Sequence, residues 1–252
     1  MVAMDNETFL DALRTESEAL SGAARGNLAA AIPAVEGWTV GEVVVHVGQG
    51  SHWITRIVRD GLDGHAALES LDADPDTGDE DALLSWFDDA AAQLVGALEA
   101  AGPDAVGWTF SGGANTFDYW WRRRAHETAV HRWDVESARG TPRPIPRDLA
   151  VDGIDEFFEV FLPRVGGRVT GEGQSLHLHA TDDGLADGAG EWTVTFGADG
   201  LTWERGHAKG DAAVRGPGSD LLLLLWNRMP PSRLEVFGDA TVVDRWQASV
   251  KI

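Results

Sequence analysis

The chain has 252 residues, a formal net charge of −21 and 43% hydrophobic residues, enough for one large domain or two modest ones, each with a core. It has no cysteine, which excludes disulfide frameworks, cysteine-ligated zinc, iron–sulfur clusters and a cysteine nucleophile. Twenty basic residues against 41 acidic ones argue against nucleic acid or an anionic membrane as partner, since both need concentrated positive charge.

The opening stretch MVAMDNETFL has no basic region ahead of an apolar one, so no secretory signal is expected. A first helix starts at Asp5 or Asn6 and places Phe9, Leu10, Leu13, Leu20 and Ala24 at helical spacing. Thr39-Val-Gly-Glu42 has the capping-box pattern of a second helix, whose stripe is Val43, Val47, Gly50, Ile54 and Val58, ending at Asp60-Gly61. Residues 60–81, with Asp72, Asp74, Asp76, Asp79 and Asp81, read as a solvated loop without EF-hand spacing. A third helix runs from about Asp79 to Ala101 and stops at Gly102-Pro103. A fourth begins near Asn115 or Thr116 and continues to Arg139-Gly140. Four amphipathic helices predict an all-α four-helix bundle over residues 1–140.

Three prolines within residues 140–146 punctuate the chain, and a second domain is expected over 141–252. A helix spans about Arg147–Leu162, followed by alternating stretches at Leu176–Ala180 and Trp192–Phe196. Asp199-Gly200 is a hairpin signal before Leu201–Glu204. Ala212–Val214 and Leu234–Phe237 read as strands, Pro217–Trp226 as a short helix and Ala240–Val250 as a last one. This is an α+β pattern with an antiparallel sheet. The longest apolar run, Leu221 to Trp226, is far too short for a membrane span, so a soluble, cytoplasmic protein is expected.

Polar residues projected into a bundle's interior are the informative ones. At about 100° per residue, His46 falls at the edge of the second helix's apolar stripe, whereas His52 falls on the outside. On the fourth helix Trp120, Arg124, Glu127, His131 and Asp134 share one face, and His126 points elsewhere. Two histidines five apart, His126 and His131, do not make the zinc-protease motif. His46, Glu127 and His131 would supply two imidazoles and a carboxylate with coordination positions left open, as in catalytic zinc and non-haem iron sites. The same pattern also fits a helix-surface pair and a hydrogen-bonded core histidine.

Trp38-Thr-Val-Gly-Glu-Val-Val-Val-His46 followed by Arg124-Ala-His-Glu-Thr-Ala-Val-His-Arg-Trp-Asp134 resembles the mycothiol-dependent maleylpyruvate isomerase family. The later stretch Gly216-Pro-Gly-Ser-Asp-Leu-Leu-Leu-Leu-Leu-Trp-Asn-Arg228 resembles that family's second domain. The resemblance implies a DinB-like bundle followed by a sterol-carrier-protein-like α+β domain. It implies zinc as the metal, with His46, Glu127 and His131 as its ligands, and mycothiol as the thiol cosubstrate. An arginine of the second domain acts near the metal in that family, and Arg228 is the nearest match; it equally fits a basic residue at a helix C-terminus. Together with the Ala-, Gly- and Arg-rich composition, the resemblance fits an actinobacterial source.

The leading expectation is an enzyme that activates a small thiol on a metal for addition to an electrophile. Isomerisation of maleylpyruvate and thiol S-transfer are both compatible with it. Arg228 or Arg124 would hold a substrate carboxylate. The alternative is a non-catalytic, metal-stabilised protein that binds an apolar ligand among Phe157, Phe158, Phe161, Trp192, Phe196 and Trp203. His177 and His179 share one strand face, expected to be solvated while Leu176, Leu178 and Ala180 pack inward. The eleven tryptophans form no stripe at a single spacing.

Overall fold

The chain divides inside its proline-rich stretch into two units, Met4–Arg143 and Pro144–Ile252. The computed structural model describes residues 4–71, 75, 78–111, 115–186 and 188–251. Asp72, Asp74 and Asp76 of the acidic stretch lie outside the described residues.

The first unit is helical. Helix α1 (Asn6–Ala24) is capped by Asp5, whose carboxylate accepts from Thr8 N at 2.8 Å. Helix α2 (Val40–Asp60) opens on the reciprocal capping box: Glu42 N donates to Thr39 Oγ1 at 3.3 Å, and Thr39 N donates to Glu42 Oε2 at 2.7 Å. It ends at Gly61, which takes the left-handed conformation (φ 67°) open to a residue without a Cβ. A short helix, α3 (Gly64–Glu69), follows inside the stretch expected to be loop; Asp63 caps it, and six residues are too few to show periodicity. Helix α4 (Glu80–Ala101) runs from the Asp79 cap to Gly102.

Helix α5 (Asp118–Ser137) starts later than the sequence pattern predicts. The reason is local pairing: Val106 and Thr116 form a bridge, and Phe117 N donates to Ala105 O at 2.9 Å. Helix α1 packs against α5 and α4, and α2 against α4 and α5. Leu20, Val40, Val43, Val47, Leu83, Phe87 and Val135 belong to the core they enclose. Arg132, fully buried on α5, fastens α1 by donating from Nε to Glu16 Oε2 at 2.6 Å, and its Nη1 donates to Glu136 Oε2, one turn on along α5, at 3.0 Å.

In the second unit, α6 (Arg147–Glu156) passes through a π turn at Phe157–Phe161 into α7 (Leu162–Val165). A regular helix was expected here; Pro163 has no N–H and would clash with the carbonyl one turn back, which the wider turn relieves. The five strands are β1 (Gln174–Ala180), β2 (Glu191–Gly197), β3 (Gly200–Arg205), β4 (Ala212–Gly216) and β5 (Glu235–Gly238), in the order β3-β2-β1-β4-β5. Three pairings are antiparallel, but β1 and β4 run parallel, so the sheet is mixed and the antiparallel expectation is corrected. Alternating sequence patterns locate strands without saying which distant edge a later strand joins.

Helices α8 (Gly218–Leu225) and α9 (Ala240–Ser249) pack on the face bearing Leu176, Leu178, Val194, Phe196 and Val214. To reach β4 from β3, residues 206–211 must cross β2 and β1, and they do so over the other face. No helix among the described residues is long and apolar enough to cross a membrane.

Candidate metal centre

Helices α2 and α5 bring His46, Glu127 and His131 together, with one ligand atom of each within 4.8 Å of the others. His46 Nε2 stands 3.6 Å from Glu127 Oε1, and the His46 and His131 rings meet edge to face at 5.1 Å. Exposure is graded across the cluster: 45% for the His46 side chain, 21% for Glu127 and 12% for His131.

Each member is held. His131 Nδ1 lies 3.1 Å from Oδ2 of the fully buried Asp134, so the ring donates there and keeps Nε2 as a lone-pair donor. His46 packs edge-on against Trp38 at 5.3 Å. Glu127 Oε2 receives Arg124 Nη1 at 2.9 Å and lies 3.6 Å from Arg123 Nε. Burial raises the Glu127 carboxyl, but Arg124, Arg123, His131 and His46 outweigh it and bring its pKa down to about 2. The carboxylate is therefore anionic at any working pH.

Arg124 is only 1% exposed and spans the two helices, its Nη2 donating to Val47 O at 2.9 Å and Ser51 Oγ at 3.0 Å. Gly50 makes that possible, because a Cβ there would stand 2.7 Å from Arg124 Nη1. Arg124 therefore anchors Glu127 to α2, a different task from the substrate clamp expected of it.

A cavity of about 320 Å³ adjoins the cluster, lined by His46, Gly50, Trp53, Phe110, Trp120, Arg124 and Glu127 among others. Its aromatic wall combines three segments. Trp53 meets Trp108 at 5.5 Å and Trp120 at 5.7 Å, and Phe110 meets Trp120 at 5.1 Å. The Trp53 and Trp120 indoles donate to Gly64 O and Trp108 O. Sequence spacing missed this group because its members come from α2, α5 and the segment before α5. His126 is buried on the other side, against Phe9 at 5.6 Å, and His52 lies against Trp86.

Arg228 belongs to the second unit, in the turn after α8, where its N–H donates to Leu223 O and its Nη1 to Trp226 O, both at 2.8 Å. Two imidazoles and an anionic carboxylate, with one ring oriented by a buried carboxylate, fit a zinc-type ion with open coordination positions.

Among known proteins, the mycothiol maleylpyruvate isomerase N-terminal domain matches residues 9–136, and that family's C-terminal domain matches residues 148–245. A solved mycothiol-dependent maleylpyruvate isomerase aligns at 14% identity over 92% of this chain and 93% of its own, with a TM-score of 0.63. A histidine-to-alanine mutant of such an isomerase aligns over the same shares at 14% identity, with a TM-score of 0.61. These two likenesses show a common fold. No curated protein matches the sequence. With one domain of the family matched in each unit, the chain belongs to the mycothiol-dependent maleylpyruvate isomerase family.

Proposed function

We propose that the chain is a metal-dependent enzyme that activates a low-molecular-weight thiol, mycothiol, for addition to a small electrophile, as in cis–trans isomerisation of maleylpyruvate. In this reading the helical unit is a DinB-like four-helix bundle formed by α1, α2, α4 and α5, and the second unit is sterol-carrier-protein-like. The observation that carries the proposal is the convergence of His46, Glu127 and His131 beside an aromatic-walled cavity. Bound there, Zn²⁺ would keep a thiol deprotonated near neutral pH, a nucleophile that a cysteine-free chain cannot supply itself.

The protein's own residues do the positioning. Asp134 fixes the His131 tautomer, Arg124 and Arg123 hold Glu127 in place, and Trp53, Phe110 and Trp120 give the cavity an apolar wall. The thiolate sulfur would add to one carbon of the activated double bond. Rotation about the resulting single bond and departure of the sulfur would then give the trans product. In an S-transferase the sulfur would stay on the electrophile. Arg228 is assigned, from the family resemblance, to the substrate carboxylate. Of the aromatic side chains that a ligand-binding reading would use, Phe157, Phe158, Trp192 and Phe196 are wholly buried as core, and Phe161 and Trp203 are half-buried.

Elemental analysis of wild type beside Glu127→Gln tests the metal, and a maleylpyruvate assay with and without mycothiol tests the reaction. The expected results are about one zinc per chain, lost in the variant, and turnover that needs both thiol and Glu127. Metal content and turnover unchanged by Glu127→Gln would overturn the proposal.

A further inference from the structure

The sheet's outer face carries a second convergence of ligating side chains. His177 and His179 alternate along β1 and so point the same way. The antiparallel register sets Glu191 of β2 directly opposite His179 and diagonal to His177. His207 arrives from the crossing segment after β3. His177 Nε2 stands 3.0 Å from Glu191 Oε2, His207 Nδ1 2.6 Å from the same oxygen, and His179 Nδ1 3.5 Å from Oε1. One ligand atom from each of the four lies within 4.8 Å of all the others.

The face was expected to be solvated, yet His177 is only 4% exposed. Residues 206–211 cover it, and Gly210 comes so close that a Cβ there would stand 3.3 Å from His177 Cβ and 2.5 Å from Ala212 O. Thr193, paired across the strands with His177, is buried with its hydroxyl lacking a hydrogen-bond partner. The His179 nitrogen, at 3.5 Å from Oε1, is also too far for a good hydrogen bond. The protein alone thus leaves polar groups on this covered face poorly satisfied.

We infer that His177, His179, Glu191 and His207 form a second metal site, a four-donor cage for a divalent transition-metal ion of zinc type. Three imidazole nitrogens and one carboxylate oxygen are the borderline-soft set that zinc takes; calcium and magnesium prefer oxygen alone. Donors around zinc at about 2.0–2.1 Å stand roughly 3.4 Å apart, so the set closes on an ion by shifts of about an ångström. With all four positions supplied by the protein, the site is of the closed, structural kind. Its consequence is mechanical: the ion would latch the crossing segment, through His207, to the two central strands.

The test separates this site from the helical one by loading Zn²⁺ into the full chain carrying His46→Ala, Glu127→Gln and His131→Ala, and then adding His207→Ala or Glu191→Gln. His207 is well exposed, so its removal spares the fold. The expected result is one tightly held equivalent of Zn²⁺, a rise in Tm with metal, and at least a tenfold loss of affinity on either added substitution. A folded parent that takes up no Zn²⁺, or uptake indifferent to His207→Ala, would overturn the inference. Should the triple variant fail to fold, wild type serves instead: one equivalent lost on His207→Ala supports the site, and metal content unchanged overturns it.

Discussion

The two ligand clusters use the same side chains on opposite kinds of scaffold. In the helical unit His46, Glu127 and His131 project from two long helices, a buried arginine braces the carboxylate, and a cavity opens beside them. In the sheet unit His177, His179, Glu191 and His207 sit on two strands and a crossing segment, with four donors and a covering loop. Three ligands beside a cavity leave room for a reacting partner; four donors fill the coordination positions of a zinc-type ion. The lesson is that ligand type alone does not separate a reactive site from a structural one, whereas donor count and adjoining space do.

That comparison is broken most severely by emptying either cluster. Glu127→Gln is expected to cost thiol-dependent turnover more than the roughly 10–100-fold price of losing an outer-shell partner. Glu191→Gln should leave turnover near wild type and lower thermal stability in zinc instead. Steady-state assays beside melting curves distinguish the two outcomes. Next in size is the buried ionic link between α1 and α5: Arg132→Ala strands Glu16, while Glu136 keeps Arg143, and should destabilise by about 3–5 kcal/mol in urea unfolding.

The sheet unit has its own buried carboxyl. Burial pushes Asp155 up to about 6, although Trp192 Nε1 donates to it at 2.7 Å and Arg205 pairs with it. The folded state holds this proton more tightly than the unfolded state, whose value is 3.8. The stability it contributes is full below that value and is lost as pH rises through about 6. Relative to Asp155→Asn, wild type should lose on the order of 2–3 kcal/mol between pH 4 and 7, read by urea titrations at several pH values.

Smaller effects sharpen the picture further. Asp134→Asn frees the His131 tautomer and should weaken metal binding roughly 10–100-fold in chelator competition. Thr39→Ala removes half of the α2 capping box and should cost about 1 kcal/mol without altering the metal content.

Much of this architecture is legible locally. The α2 capping box and stripe, the Asp79 cap of α4 and the Gly102 stop involve residues within a turn or two of one another. Helix geometry likewise puts Glu127 and His131 on one face, because i and i+4 are neighbours. What escapes a linear reading depends on distant partners. The parallel pairing of β1 with β4, the burial of His177 and the meeting of Trp53, Trp108 and Trp120 all need segments dozens of residues apart. The start of α5 escapes for the same reason on a smaller scale, since Thr116 is drawn into a bridge with Val106. Arg124 shows the limit most clearly: its face is readable, but that its charge would be spent on Val47, Ser51 and Glu127 is not.

The crossing of residues 206–211 also dictates an order of assembly. Strands β1, β2 and β3 form a meander whose pairings close short loops, whereas β4 can dock on β1 only after the chain has passed over that meander. Long-range parallel pairing is slow because loop closure must precede its reward. The β4–β5 edge should therefore be the last part of the sheet to gain amide protection during refolding, and the first to lose it when the unit loosens.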